Sequence, residues 1–187
     1  MSEHPNTTTH DPRAPQPKRR GYLRALWSTL RTLILIALLA MVAAYYFFPV
    51  IHIHTDAMSP TLSGGDIVVS LKGENWSRGD VVAFYFGDKL LVKRIIAVAG
   101  DVIAISEDGS VQLNGQPLAE PYVSAASLGE CDLEMPYTVP ADRVFVMGDQ
   151  RELSLDSRSS AIGCVAPEQI VGRVLMCIWP LERIALH

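Results

Sequence analysis

The sequence predicts a mainly β, antiparallel domain carried behind one N-terminal transmembrane helix. Three observations lead there. Nineteen consecutive residues, Thr32 to Val50, carry no charge. After them, short runs rich in Val and Ile are separated by Gly-Asp, Asn-Gly and Pro. No long stretch after the uncharged run repeats its apolar residues with the helical period. Hydrophobic residues make up 49% of the 187-residue chain and charged residues only 19%. That composition excludes a disordered chain and disfavours a purely soluble one.

The elements follow in chain order. Residues 1–24 read as a disordered basic tail. Residues 1–17 hold Pro5, Pro12, Pro15 and Pro17 and almost nothing large and apolar, so no burial offsets the entropy of ordering them. Lys18, Arg19, Arg20 and Arg24 follow. The net charge of −4 hides a split, +4 over residues 1–31 and −8 over the rest. An acidic balance outside the tail argues against nucleic acid as a partner.

Residues 25–49 read as the membrane helix. At about 1.5 Å per residue, the uncharged run nearly crosses a hydrocarbon core of roughly 30 Å. Extension back to Ala25 completes the span, with Arg31 snorkelling to the interface. Tyr45, Tyr46, Phe47 and Phe48 suit an interfacial aromatic belt, and Pro49 stops the helix. A cleaved signal peptide is the rival, and Ala40 to Ala44 offer weak small-residue cleavage sites. The run is longer than a usual signal h-region and passes on into bulky aromatics, so a retained anchor is the preferred reading. The basic residues before the helix place the N-terminus in the cytoplasm and residues 50–187 outside, with one crossing.

Strands are expected over Asp66–Val69, Val81–Phe84, Leu90–Val98, Val102–Ile105, Val144–Met147 and Ile170–Ile178. Asp108-Gly109 and Asn114-Gly115 suit tight hairpin turns. The Gly-Asp pairs at 65, 79, 100 and 148 read as turn chemistry, Gly supplying positive φ and Asp capping local amides.

Chemistry is concentrated in few places. His4 and His10 fall in the tail and His187 is last in the chain. His52 and His54 alternate with Ile51 and Ile53. A His-x-His pair can hold a metal, but no third ligand is apparent, and two interfacial histidines is the plainer reading, so no metal site is expected. So little histidine in the outer domain disfavours a Ser-His-Asp triad, and a hydrolase here needs another base. In a strand, Lys93 shares a face with Leu91 and Ile95, and Arg94 with Val92 and Ile96. A lysine held against apolar side chains is desolvated, which lowers its pKa and makes a neutral base accessible. A lysine snorkelling from an edge strand is the alternative. The loop from Gly148 to Arg158 is dense in polar groups and reads either as a paired network or as a solvated surface loop. Cys131 and Cys164 lie in polar segments and could pair in an oxidising compartment, or all three thiols stay reduced with Cys177 in the core.

Four boxes, in order, carry a resemblance from about Thr55 to Pro180. They are Ala57-Met58-Ser59-Pro60-Thr61-Leu62 with Gly65-Asp66; Gly79-Asp80-Val81-Val82 with Phe84; Val92-Lys93-Arg94-Ile95-Ile96 through Gly100-Asp101; and Gly148-Asp149-Gln150-Arg151 through Ser154, Asp156, Ser157 and Arg158. Asn114 to Leu118 and Glu120-Pro121-Tyr122 lie between them. The outer domain resembles the type I signal peptidases, membrane-bound endopeptidases with a Ser-Lys dyad. The resemblance implies removal of signal peptides from exported preproteins at the surface of a bacterial inner membrane, without a cofactor. The partners it implies are those signal peptides and the lipid bilayer. Lys93 would be the general base, Ser154 its orienting partner, and Thr55 an oxyanion donor beside the backbone N–H of residue 57. Asp149, Arg151, Asp156 and Arg158 would brace the site. Met58 and the aromatic stretch from Phe84 to Phe86 are candidates for a substrate groove or membrane-facing surface, with core packing an equal alternative.

The departure is Ala57, where the family has its nucleophilic serine. A methyl group cannot attack a carbonyl. Ser59 would sit two residue rises away in extended backbone, near 6.5 Å, against the contact of about 3 Å that nucleophilic attack needs. The chain then reads as an inactive Ser-to-Ala form, engineered or natural, the latter binding exported segments without cutting them. Self-cleaving repressors share the Ser-Lys site, but nothing before residue 51 resembles a DNA-binding helix pair.

Overall fold

The computed structural model describes residues 19–180. Residues 1–18 of the expected tail and the terminal His187 lie outside them, and residues 19–24, read as tail, begin a helix instead.

Helix α1 runs Arg19–Phe47. Its Ala25–Phe47 segment has a mean hydropathy of 2.0 with none of it buried, the one helix among the described residues long and apolar enough to cross a membrane. The Thr29 and Thr32 hydroxyls each donate to the carbonyl four residues back, which satisfies them within the helix. The Phe48 N–H still donates to Ala44 O at 2.8 Å, but Pro49 has no N–H to continue the ladder. The helix up to Ala43 and the chain from Ala44 onward are separate units.

The second unit is built of antiparallel strands. One sheet holds β1 (Val50–His52), β2 (Ile67–Leu71), β3 (Val81–Phe86), β4 (Lys89–Val98), β9 (Val144–Met147) and β10 (Ile170–Trp179), in the order β1-β2-β10-β3-β4-β9. The other holds β5 (Val102–Ile105), β6 (Val111–Leu113), β7 (Gln116–Pro117) and β8 (Tyr137–Thr138), in the order β7-β6-β5-β8. The sequence pattern foresaw the six longer strands to within a few residues. It passed over β1, β6, β7 and β8, which are too short to show an alternation.

Val and Ile fill these strands because branched side chains pack well on a pleated surface. Ile96, Ala97, Ile103, Ile105, Phe145 and Met147 form a core between the two sheets. Each large side chain among them contributes about 1.5–3 kcal/mol by leaving water. A second cluster packs Met58 and Leu62 against Ile51, Val68, Val81 and Val174, and so ties the segment after β1 onto the sheet.

Three Gly-Asp pairs are the expected turns. Gly65, Gly79 and Gly100 have positive φ, and Asp66, Asp80 and Asp101 each accept from the backbone N–H three residues back at 2.9 Å. The fourth pair, at 148, is different and belongs to the site.

Three readings need correction, and for the cysteines the reduced alternative holds. Phe84 is 0% exposed and packs with Val82, Ile95 and Val146, so it is a core residue. Met58 is 2% exposed and equally cannot face a membrane. The stretch after Thr55 is a series of turns, not extended backbone, with the Ser59 N–H donating to Asp56 O. All three cysteines are free thiols, so Cys131 and Cys164 do not pair; Cys164 instead points its Sγ at Tyr137 Oη.

Candidate active site

Lys93 sits in the middle of β4, opposite Val82 of β3. Strand pairing on that side and a loop on the other enclose it until only 3% of the residue is exposed. Its Nζ donates to Ser154 Oγ at 2.7 Å. Burial is the main cause that pulls its pKa down from 10.5 to about 8; Asp156 and Asp149 pull it back up, and Arg158 adds to the lowering. A neutral amine is therefore reachable in mildly alkaline water.

Ala57 is beside this pair. Thr55, Asp56, Ala57, Phe86, Leu91 and Lys93 are among the residues lining one open cleft of about 410 Å³. Leu153 and Leu155 complete its wall and are 69% and 42% exposed. A smaller cavity of about 50 Å³ beside it is lined by His54, Met58 and, again, Lys93. Phe86, rather than Phe84, is the β3 aromatic in the cleft. Ser59 does not line it.

Gly148 explains how the parts come so close. A Cβ there would lie 2.2 Å from Ser154 Oγ and 2.5 Å from Ala57 O. Only a residue without a side chain lets Ser154 and the Ala57 backbone pack against it. The Gln150 N–H then donates to Ala57 O at 3.1 Å, which fastens the segment carrying residue 57 to the loop carrying Ser154.

The loop is held from beneath by ion pairs. Arg158 and Asp156 are both 0% exposed and form a two-pronged pair, Nε to Oδ1 and Nη2 to Oδ2, each 2.9 Å. Asp156 also accepts from the Gly148 N–H at 3.0 Å, and Arg158 donates to Leu128 O at 2.6 Å and Arg151 O at 2.8 Å. On the other side Arg94 reaches Asp149 through Nε at 2.9 Å and Nη2 at 2.6 Å. Thr61 Oγ1 donates to the same carboxylate. Arg94 also lies over the Tyr122 ring, 4.0 Å from its centroid. Arg151 pairs with Glu120, and Tyr122 Oη donates to Glu120 at 3.0 Å. Burial first, then Glu120, push the Tyr122 phenol upward, so it stays a neutral donor.

All four residues expected to brace the site are thus in it, each 0–1% exposed. Thr55 lies on the cleft wall, exposed. Sequence reasoning missed Arg94, Thr61, Glu120 and Gly148. Arg94 keeps its charge and so cannot act as a base, and that permanent charge is what Asp149 requires. Nothing in the chain order links Glu120 to Arg151. His52 and His54 meet edge to face with ring centroids 4.5 Å apart, and the His54 Nδ1–H donates to His52 O. Among the described residues no group of three or more His, Cys, Asp or Glu is placed to hold a metal ion.

Several known proteins are similar to this chain over most of its length. Signal peptidase I of Leptolyngbya laminosa is 30% identical, over 96% of this chain and 91% of its own length. Signal peptidase I T of Bacillus subtilis is 30% identical, over 98% and 97%. Signal peptidase I of Mycobacterium tuberculosis is 27% identical, over 90% and 76%. A crystal structure of a signal peptidase I from Enterococcus faecalis covers 55% of this chain and 98% of its own, at 25% identity and a TM-score of 0.44. The family model for signal peptidase, peptidase S26, matches residues 26–179, and the chain belongs to that family.

Proposed function

We propose that the outer unit is a signal peptidase I-type site, anchored by α1 in a bacterial inner membrane, that receives the cleavage segments of exported preproteins. The observation that carries the reading is the buried hydrogen bond from Lys93 to Ser154 in the cleft that Ala57 lines. With serine at position 57, neutral Lys93 takes the hydroxyl proton as Oγ attacks the scissile carbonyl. Ser154 fixes the direction of the Lys93 lone pair. Thr55 and the backbone N–H of residue 57 are the donors for the oxyanion, and water then releases the acyl group. Asp149, Arg151, Asp156 and Arg158 hold the loop at its working distance. The anchor keeps the site and its membrane-borne substrate in one plane, which raises their effective concentration.

As written, the chain lacks the attacking atom, and we read it as hydrolytically inactive. The Ala57 methyl also favours a second reading, an anchored module that binds exported segments without cutting them. Ala57→Ser in detergent or lipid decides between them. Cleavage of a signal-peptide substrate, lost again in Ala57→Ser/Lys93→Ala, is the expected result. An inert Ala57→Ser chain that still binds the substrate would leave only the binding module.

A further inference from the structure

The hydrolytic machinery, without its serine, leaves Lys93 with capacity unused. An ammonium has three N–H donors. One reaches Ser154 Oγ, and no carboxylate among the described residues lies within 4.0 Å of Nζ. The two acids that favour its charged form are committed elsewhere, Asp149 to Arg94 and Asp156 to Arg158. A methyl at position 57 neither gives nor takes a proton. The result is a nearly buried cation with two spare donors on a cleft where Phe86, Leu91, Leu153 and Leu155 form an apolar wall beside Thr55, Asp56, Ala57 and Lys89. Burial makes an unpaired charge costly, so an anion arriving from outside is strongly favoured there. The ligand must have one anionic end and an apolar body. Polar groups of Thr55 and Asp56 on the rim suit a peptide's amides better than an acyl chain.

We propose that this cleft binds the free C-terminal carboxylate of a peptide, with the carboxylate on Lys93 and the preceding side chains along the apolar wall. This rests on the peptide-binding reading above and adds free, already cleaved ends to the segments that the cleft receives. The charge on Lys93 governs it. The other charged or titratable groups facing the site are Asp149, Asp156 and Arg158 from the loop, Asp56 and Lys89 on the cleft, and His52 and His54 in the adjoining cavity. Lys93 is an ammonium below about 8 and a neutral amine above it, so the grip on a carboxylate weakens as pH rises through that value.

The test uses the full chain in detergent micelles and one short labelled peptide ending in alanine, made as free acid and as amide. Fluorescence anisotropy reads its binding. At about pH 6.5 the acid binds at least about tenfold tighter, the worth of a charge-assisted hydrogen bond. By about pH 9.5 the preference falls to about twofold or less, as Lys93 loses its proton. Lys93→Met removes the preference at both values; if that variant misfolds, the pH series on the unaltered chain decides alone. Equal binding of acid and amide at the lower pH overturns the proposal, as does a preference unchanged at the higher one. Octanoate displacing the peptide at equal concentration overturns the peptide assignment. If Ala57→Ser cuts its substrate while acid and amide bind alike, the peptidase reading stands and this one falls. If Ala57→Ser is inert and neither peptide binds, both fall.

Discussion

Replacing Asp156 by asparagine removes one charge from an ion pair that water does not reach, both side chains being 0% exposed. Asp156 oxygens accept from the Gly148 N–H at 3.0 Å, the Arg158 N–H at 3.2 Å, and Arg158 Nε and Nη2 at 2.9 Å each. An asparagine keeps one acceptor oxygen and turns an NH2 toward a donor. Arg158 retains the carbonyls of Leu128 and Arg151 but no counter-charge. Breaking a buried pair from one side costs about 3–5 kcal/mol, and the retained carbonyls argue for the lower part of that range, about 3 kcal/mol. The comparison is Arg173→Ala, whose partner Asp80 is 3.4 Å away and whose side chain is 44% exposed. Solvent screening there leaves about 0–1 kcal/mol. Urea unfolding of the full chain in micelles, followed by near-ultraviolet circular dichroism, measures both, with unchanged m-values showing that the unfolded state is the same. Equal losses in the two variants, or a loss below about 1 kcal/mol for Asp156→Asn, would refute the claim that burial sets the worth of this pair. A second readout is electrostatic. Asp156 holds the Lys93 pKa up, so its neutralisation moves the acid limb of an Ala57→Ser pH profile to lower pH.

Ala57→Ser should cleave with a rate that rises as pH passes about 8, because Lys93 must lose its proton to act as base; a rate flat from about pH 6.5 to 9.5 would contradict that role. Gly148→Ala places a methyl against Ser154 Oγ and Ala57 O, and should cost about 1–3 kcal/mol in urea unfolding and most of the activity of an Ala57→Ser chain. Ser154→Ala in the Ala57→Ser background should lower kcat far more than it raises KM, since it frees Lys93 to rotate without touching substrate; an equal loss in both would assign Ser154 to binding. A thiol titration of the denatured chain should find all three cysteines reactive, with or without reductant.

Much of the fold can be read from local pattern. A charge-free run with an aromatic end needs no tertiary information to be recognised as a candidate membrane span, because length and residue type alone set that test. The longer strands show themselves through branched side chains and the turns between them. The short strands do not, because two or three residues carry no period; they pair only where neighbours bring them together. Phe84 and Met58 show the same limit. Each is apolar beside a motif, and only the packing of β3 and of the segment after β1 shows that both point inward.

By sequence alone, the chain has one apolar span, a basic end, a Val- and Ile-rich outer portion, and an alanine where the boxes around it expect a serine. These follow from residue type and order. The tertiary structure decided that Lys93 loses most of its water, that Ser154 comes within a hydrogen bond of it, and that Gly148 allows the approach. It also decided that Arg94 and Glu120, distant in the chain, take up the charges of the loop. The physical reason is that desolvation and ion pairing depend on which surfaces meet. Of four Gly-Asp pairs alike in sequence, three cap turns and the fourth builds the site, a difference set by the strands and loops packed around each.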